Sequence, residues 1–192
     1  LVEWASADAL KNAMYRPGVQ SVDWQAMTLI VSILTTSAAI GPELKDEDRV
    51  IIGPWLNKIV AKTAASRWDR QDNKSYMTAY ISMIWGLMTQ DTDAVQAAVD
   101  VVKLAIHDMR PDGSFPTDSA RSGMGLHYSS FATGHLVMMS ALIYSYIKLD
   151  FPTKMGWVRD GMYVFQTFFS EIFEFGAGRS LSAFVLVGDV VL

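Results

Sequence analysis

The sequence predicts an all-α chain of antiparallel helical hairpins. Apolar residues recur at three- and four-residue spacing along most of its length. Pairs such as Pro17-Gly18, Gly41-Pro42 and Gly53-Pro54 punctuate these stretches, and no alternating strand-like run occurs outside residues 184–191. Apolar helices in series suggest stacked helix pairs, as in a solenoid or an α/α toroid. With 192 residues the chain fits a single domain, residues 1–192, and is long enough to bury a core.

Residues 2–15 place Trp4, Ala7, Leu10 and Met14 on one helix face, and Arg16-Pro17-Gly18 ends that helix. Ser21-Val22-Asp23 marks the start of a second helix reaching Ile40, which Gly41-Pro42 stops. A third covers residues 46–68 with a break or kink expected at Gly53-Pro54. Asp72 or Asn73 caps a fourth, which runs to about Met88. The fifth spans residues 92–109, with Val95, Val99, Val102 and Ile106 as its apolar stripe and Asp93 near its positive end. Arg110-Pro111-Asp112-Gly113 forms a turn, and the stretch from there to Gly125 is the longest polar irregular segment. A sixth helix covers residues 126–149 and a seventh residues 153–173. Residues 24–42 and 123–147 carry no Asp, Glu, Lys or Arg, but their hydroxyl, amide and imidazole side chains favour core helices over membrane spans.

Composition removes several function classes. Hydrophobic residues at 51% against charged residues at 19% argue against disorder. A formal charge of −4 without a long basic run argues against a nucleic-acid partner. The lack of cysteine excludes disulfides, thiolate zinc sites and cysteine nucleophiles, and fits either the periplasm or the cytoplasm. The start at Leu1 and the apolar stretch 180–192 lead us to expect that terminal parts of the natural protein are missing.

Two segments concentrate the chemistry. One runs from Trp68 to Tyr76 and the other from Arg121 to Tyr128. Each leads into a helix N-terminus, where free N–H groups and the helix dipole favour an anion. Simpler readings stand beside this one. Asn73 serves equally as a helix cap, Lys74 and Arg121 as solvated charges, and Tyr128 as a core aromatic. His127 and His135, without an acidic neighbour, read as core or rim residues rather than metal ligands, and His107 as a cation at a helix C-terminus. No G-x-S-x-G elbow, H-E-x-x-H helix or phosphate loop is present. Asp69, Asp72, Asp112 and Asp118 could supply a glycosidase's two carboxylic acids, but no spacing singles out a pair.

At these two segments the sequence resembles the alginate lyases, polysaccharide lyase family five. The family's N-N-H-S-Y-W motif reads Asp72-Asn73-Lys74-Ser75-Tyr76-Met77 here, and its R-x6-Y motif runs from Arg121 to Tyr128. Asp112-Gly113, Phe115-Pro116 and the W-A-x-A-D-A-L run in the first ten residues also look similar, so the likeness covers about residues 1–150. The resemblance implies an incomplete (α/α) toroid with a substrate cleft. It also implies β-elimination across a uronate in an acidic polysaccharide, by a periplasmic or secreted enzyme that needs no cofactor or metal and is expected to be a monomer. The family's functional Asn, Arg and Tyr fall on Asn73, Arg121 and Tyr128. Its His falls on Lys74, a departure that also admits an inactive, polysaccharide-binding or exopolysaccharide-assembly descendant.

These residue types suit the reaction. Charge that develops on the uronate carboxylate as the C5 proton leaves needs donors and cations, which Asn73, Lys74 and Arg121 offer. Tyr128 would take that proton and return one to the leaving oxygen, helped by the cations beside it. Trp68, Tyr76 and Tyr80 are expected to stack on sugar rings, Arg67 and Arg70 to hold further carboxylates, and His127 to line another part of the cleft.

Overall fold

The computed structural model describes residues 1–11, 20–65 and 71–148. All regular structure among them is helical: α1 (Val2–Ser6), α2 (Gln20–Ile40), α3 (Asp46–Ala65), α4 (Asn73–Thr89), α5 (Thr92–Asp108), α6 (Pro116–Ser119) and α7 (Gly125–Lys148), with short 3-10 turns at Gly41–Glu43 and Ser122–Met124. The expected seventh helix at residues 153–173 and the strand-like run at 184–191 lie outside the described residues.

Helix α4 is the centre of the arrangement. It packs against α2, α3, α5 and α7, which explains why its buried positions, from Asn73 to Gly86, encircle it instead of forming one stripe. Helices α2, α4 and α7 run in the same direction. Trp24, early in α2, meets Phe131, early in α7, with ring centroids 5.2 Å apart. At the other end, Ser37 and Ala38 of α2, Ile84 and Met88 of α4, and Met138 and Leu142 of α7 line one cleft. Helices α3 and α5 return antiparallel to this layer, so each hairpin contributes one helix to it. The α2 face, with Met27, Ile30, Ile33 and Leu34, enters the core. Residues Trp24–Glu43 are long and apolar enough to cross a membrane by length and composition.

The first predicted helix is shorter than its periodicity implies. Helix α1 ends at Ser6, and Asp8 and Leu10 take positive φ values of 50° and 64°. Tertiary bonding competes with helical propagation there. Trp55 Nε1 donates to Ala9 O at 2.8 Å, Lys58 Nζ pairs with Asp8 at 2.8 Å, and Lys62 Nζ donates to Lys11 O. In α3 the helix runs through Pro54 without a break. Ile52, Trp55 and Leu56, on either side, are all buried, and their packing offsets the lost backbone hydrogen bond.

The fifth helix matches its stripe, with Val95, Val99 and Val102 buried, but its cap is Asp91, which accepts from Asp93 N and Ala94 N. The turn after α5 closes with Gly113 N donating to Arg110 O at 2.8 Å, and Gly113 takes φ +78°, as its position requires. The expected irregular stretch contains α6 and the second 3-10 turn. Gly125 then starts α7 against the α6 backbone: an added Cβ would lie 2.6 Å from Ser119 O. Gly125→Ala is therefore expected to destabilise the protein by about 1–3 kcal/mol. Thermal unfolding checks this, and an unchanged midpoint would show that the α6–α7 junction yields.

Candidate active site

The site lies where the starts of α4 and α7 meet, at one end of the parallel layer. Asp72, with φ −146°, is the N-cap of α4, which decides between the two predicted caps. Its Oδ1 accepts from Lys74 N at 3.1 Å and Ser75 N at 3.2 Å. Its Oδ2 accepts from Arg121 Nη2 at 3.0 Å, across 49 residues of sequence. Asp118, on α6, points the opposite way: its Oδ1 accepts from Asn73 N at 3.3 Å. Phe115, buried and 5.8 Å from the Tyr76 ring, together with Pro116 at the first position of α6, holds that short helix against α4.

These bonds correct one expectation. The first-turn N–H groups of Asn73, Lys74 and Ser75 all have carboxylate acceptors, and Tyr76 N donates to Asp72 O at 3.1 Å. The start of α4 is therefore not an open anion site, and an anion arriving here meets side chains. Arg121 is the most informative of these. Beyond its pair with Asp72, its guanidinium carbon lies 4.3 Å from the Tyr128 ring centroid. Tyr128 and Lys74 are half-buried, so both remain within reach of solvent. Asn73 is not: it is 1% exposed, and its Oδ1 has no hydrogen-bond partner among the described residues.

The predicted site residues thus divide. Arg121 links Asp72, which caps the helix start at Asn73 and Lys74, to the ring of Tyr128. Tyr76 and Tyr80, expected as sugar platforms, are core residues at 1% and 4% exposure and offer no free ring face to a sugar here. Burial, the larger cause, and nearby Asp118 hold the Tyr76 hydroxyl well above the ordinary phenol range. Arg67, Trp68 and Arg70 lie outside the described residues. His127 is exposed, and its ring lies 5.5 Å from that of Tyr128 and 4.8 Å from that of Phe131. Trp24 and the exposed Phe131 extend this aromatic strip, and sequence reading missed both. The sign of Phe131 in sequence was the four-residue step from His127 to Phe131 to His135, whereas nothing local marked Trp24. Burial lowers the pKa of His135, which favours a neutral imidazole among Trp24, Tyr80 and Phe131.

Sequence reading gave Asp72 as a possible helix cap but missed its pair with Arg121, and it missed the bond from Asn73 N to Asp118. Of the three described candidate acids these two are brought close, but one is bound to arginine and amides and the other is fully buried. Asp112 sits in an exposed turn, and Asp69 lies outside the described residues. Burial raises the Asp118 pKa from 3.8 to about 6, with Asp72 adding to the rise while the Asn73 N–H and Arg121 oppose it. The folded protein therefore holds this proton more tightly than the unfolded chain does. Stability from this group is fully present below about pH 4 and is lost as the pH rises through about 6. Asp118→Asn should flatten that part of the stability–pH curve, as read by thermal unfolding at several pH values; an unaltered curve would assign the slope to another group.

A second cleft, of about 670 Å³, opens at the far end of the layer among Leu44, Ile52, Leu56, Ile84, Trp85 and Met88. Its lining is mostly apolar, and of the predicted site residues it includes Tyr80 alone.

The alginate lyase family profile matches residues 4–145. The chain belongs to the alginate lyase family. This alginate lyase family member is 28% identical over 143 residues to a polysaccharide lyase of Stenotrophomonas maltophilia (strain K279a), an alignment covering 72% of this chain and 43% of that protein. It is 26% identical over 149 residues to an alginate lyase of Pseudomonas syringae pv. syringae (strain B728a), covering 73% and 39%. The chain thus spans about two fifths of the length of these relatives. A solved structure of alginate lyase A1-III, a Tyr-to-Phe variant complexed with tetrasaccharide, superposes with a TM-score of 0.65 at 20% identity, over 95% of this chain and 55% of that one. The fold of this family member is accordingly the incomplete (α/α) toroid that the sequence motifs imply.

Proposed function

We propose that this chain carries the reacting part of a polysaccharide lyase that cleaves a uronate-containing polymer by β-elimination outside the cytoplasm. The observation that carries this reading is the contact series Asp72–Arg121–Tyr128, which stations a guanidinium against a solvent-reachable phenol. In the proposed step Tyr128 removes the C5 proton of the uronate. The electrons of that C–H bond form the C4–C5 double bond, the C4–O glycosidic bond breaks, and the leaving oxygen takes a proton from Tyr128. Arg121 and Lys74 offset the negative charge that grows on the carboxylate. Asn73 lies beneath the surface, so its amide reaches substrate only if the floor of the site opens. The strip of His127, Phe131 and Trp24 is suited to stacking on neighbouring sugar rings.

Incubation with polymannuronate, polyguluronate and glucuronan, followed by ultraviolet absorbance of the unsaturated product, tests the reading. We expect a rise with at least one polymer, and none with any of them would refute it. The burial of Asn73 and the lysine at position 74 favour a second reading, polysaccharide binding without turnover. That reading predicts measurable binding and flat absorbance in the same samples.

A further inference from the structure

The two segments of the site are tied by two carboxylates running in opposite directions. Asp72 precedes Asn73 and Lys74 on one segment and reaches Arg121 on the other. Asp118 precedes Arg121 by three residues and reaches back to Asn73 N. Each acid is almost fully buried, at 3% and 0% exposure. Asp72 uses both oxygens, one for the start of α4 and one for the guanidinium. With a single crossing bond the segments could pivot about it, whereas two crossing bonds fix both spacing and rotation.

We propose that Asp118 is a positioning residue, which with Asp72 forms a reciprocal clasp holding Asn73 and Lys74 in register with Arg121 and Tyr128. Asp118 touches no substrate in this scheme. It acts through the Asn73 amide, and its place in the core fixes where that amide stands. Burying a carboxylate next to a second one disfavours its charged form, and a group that served stability alone would be better replaced by a neutral one. The clasp accounts for its presence by register, since a shift of about 1 Å at a reacting centre can lower a rate roughly 100-fold.

The proposal uses the lyase reading for its kinetic readout only. On the polymer that the protein cleaves, Asp118→Ala is expected to lower kcat by roughly 10- to 100-fold while KM changes by less than about threefold. Asp118→Asn keeps an acceptor for the Asn73 N–H and should recover most of that loss. A residue with only a structural role would give Asp118→Ala a lower unfolding temperature but the parent kcat wherever the variant is folded. Amide hydrogen exchange followed by NMR reads the clasp without substrate. The Asn73 amide should be protected in the parent and in Asp118→Asn and exchange faster in Asp118→Ala, with Ile81 unchanged further along α4. Equal Asn73 protection in a folded Asp118→Ala overturns the clasp whether or not the parent turns over polymer. So does loss of that protection in Asp118→Asn, which decides the matter if the alanine variant does not fold. A parent that shows no turnover but has the predicted exchange pattern refutes the lyase reading and leaves the clasp standing.

Discussion

Tyr128→Phe is expected to lower lyase turnover by about 100- to 10,000-fold, the usual range for loss of a general acid–base group. The substitution removes one hydroxyl from a half-buried side chain for which no hydroxyl hydrogen bond is seen among the described residues, while the ring on which Arg121 stacks remains. Folding should therefore be unaffected, and binding of uronate oligomers should persist. Both controls matter, because a variant that lost stability together with activity would say nothing about chemistry. Initial rates, oligomer binding by calorimetry and thermal unfolding make the check. A phenylalanine variant with the parent rate would remove the phenol from the mechanism.

Arg121 is expected to show the second large effect, on both stability and turnover. Its partner Asp72 has a side chain only 4% exposed, so truncating the arginine strands a buried carboxylate. Breaking a buried pair in this way costs about 3–5 kcal/mol. The two backbone amides that also bind Asp72 place the expected loss near the lower end of that range. Turnover of Arg121→Ala should fall by about 100- to 1,000-fold, since a donor to the developing charge is removed. Arg121→Lys should regain part of the stability and little of the activity. An ammonium can pair with Asp72, but it lacks the planar fork that pairs with Asp72 while lying over Tyr128. Adding Asp72→Asn to Arg121→Ala should restore stability without restoring turnover, because the stranded charge is gone while the cation is still missing. Unfolding midpoints and initial rates of the parent, Asp72→Asn, Arg121→Ala and the double variant form the cycle, with Arg121→Lys measured beside it. Full activity in Arg121→Lys would mean that any cation suffices.

Much of this arrangement was legible in the sequence for local reasons. The starts of α4 and α7 and the turn at Gly113 follow from caps, breakers and apolar spacing, which act over a few residues. The likeness to alginate lyases gave Asn73, Arg121 and Tyr128 as an assembly, and the structure brings these segments together through Asp72. What escaped was decided by distant contacts. Residues 7–11 leave the helix because Trp55, Lys58 and Lys62 bind them, and nothing local signals that. Tyr76 and Tyr80 lie in the core because α4 is surrounded on all sides, so a polar-tipped aromatic near a motif gave no clue to its depth. Asp118 lies in what read as a polar irregular stretch, yet it is fully buried where α6 packs on α7 and meets the start of α4. The reading of α4 as an open anion site failed for the same reason, since the acids that occupy its N–H groups come from both segments.

The central claim is spatial: a uronate ring sits with its carboxylate beside Arg121 and Lys74 and its C5 facing the Tyr128 hydroxyl. A crystal structure of Tyr128→Phe soaked with a uronate oligomer tests this most directly. The account predicts a sugar carboxylate within hydrogen-bonding distance of the Arg121 guanidinium, with the ring against residue 128 and its neighbours running along His127 and Phe131. An oligomer seated instead in the apolar cleft by Trp85 and Met88, with the Arg121 region empty, would contradict it.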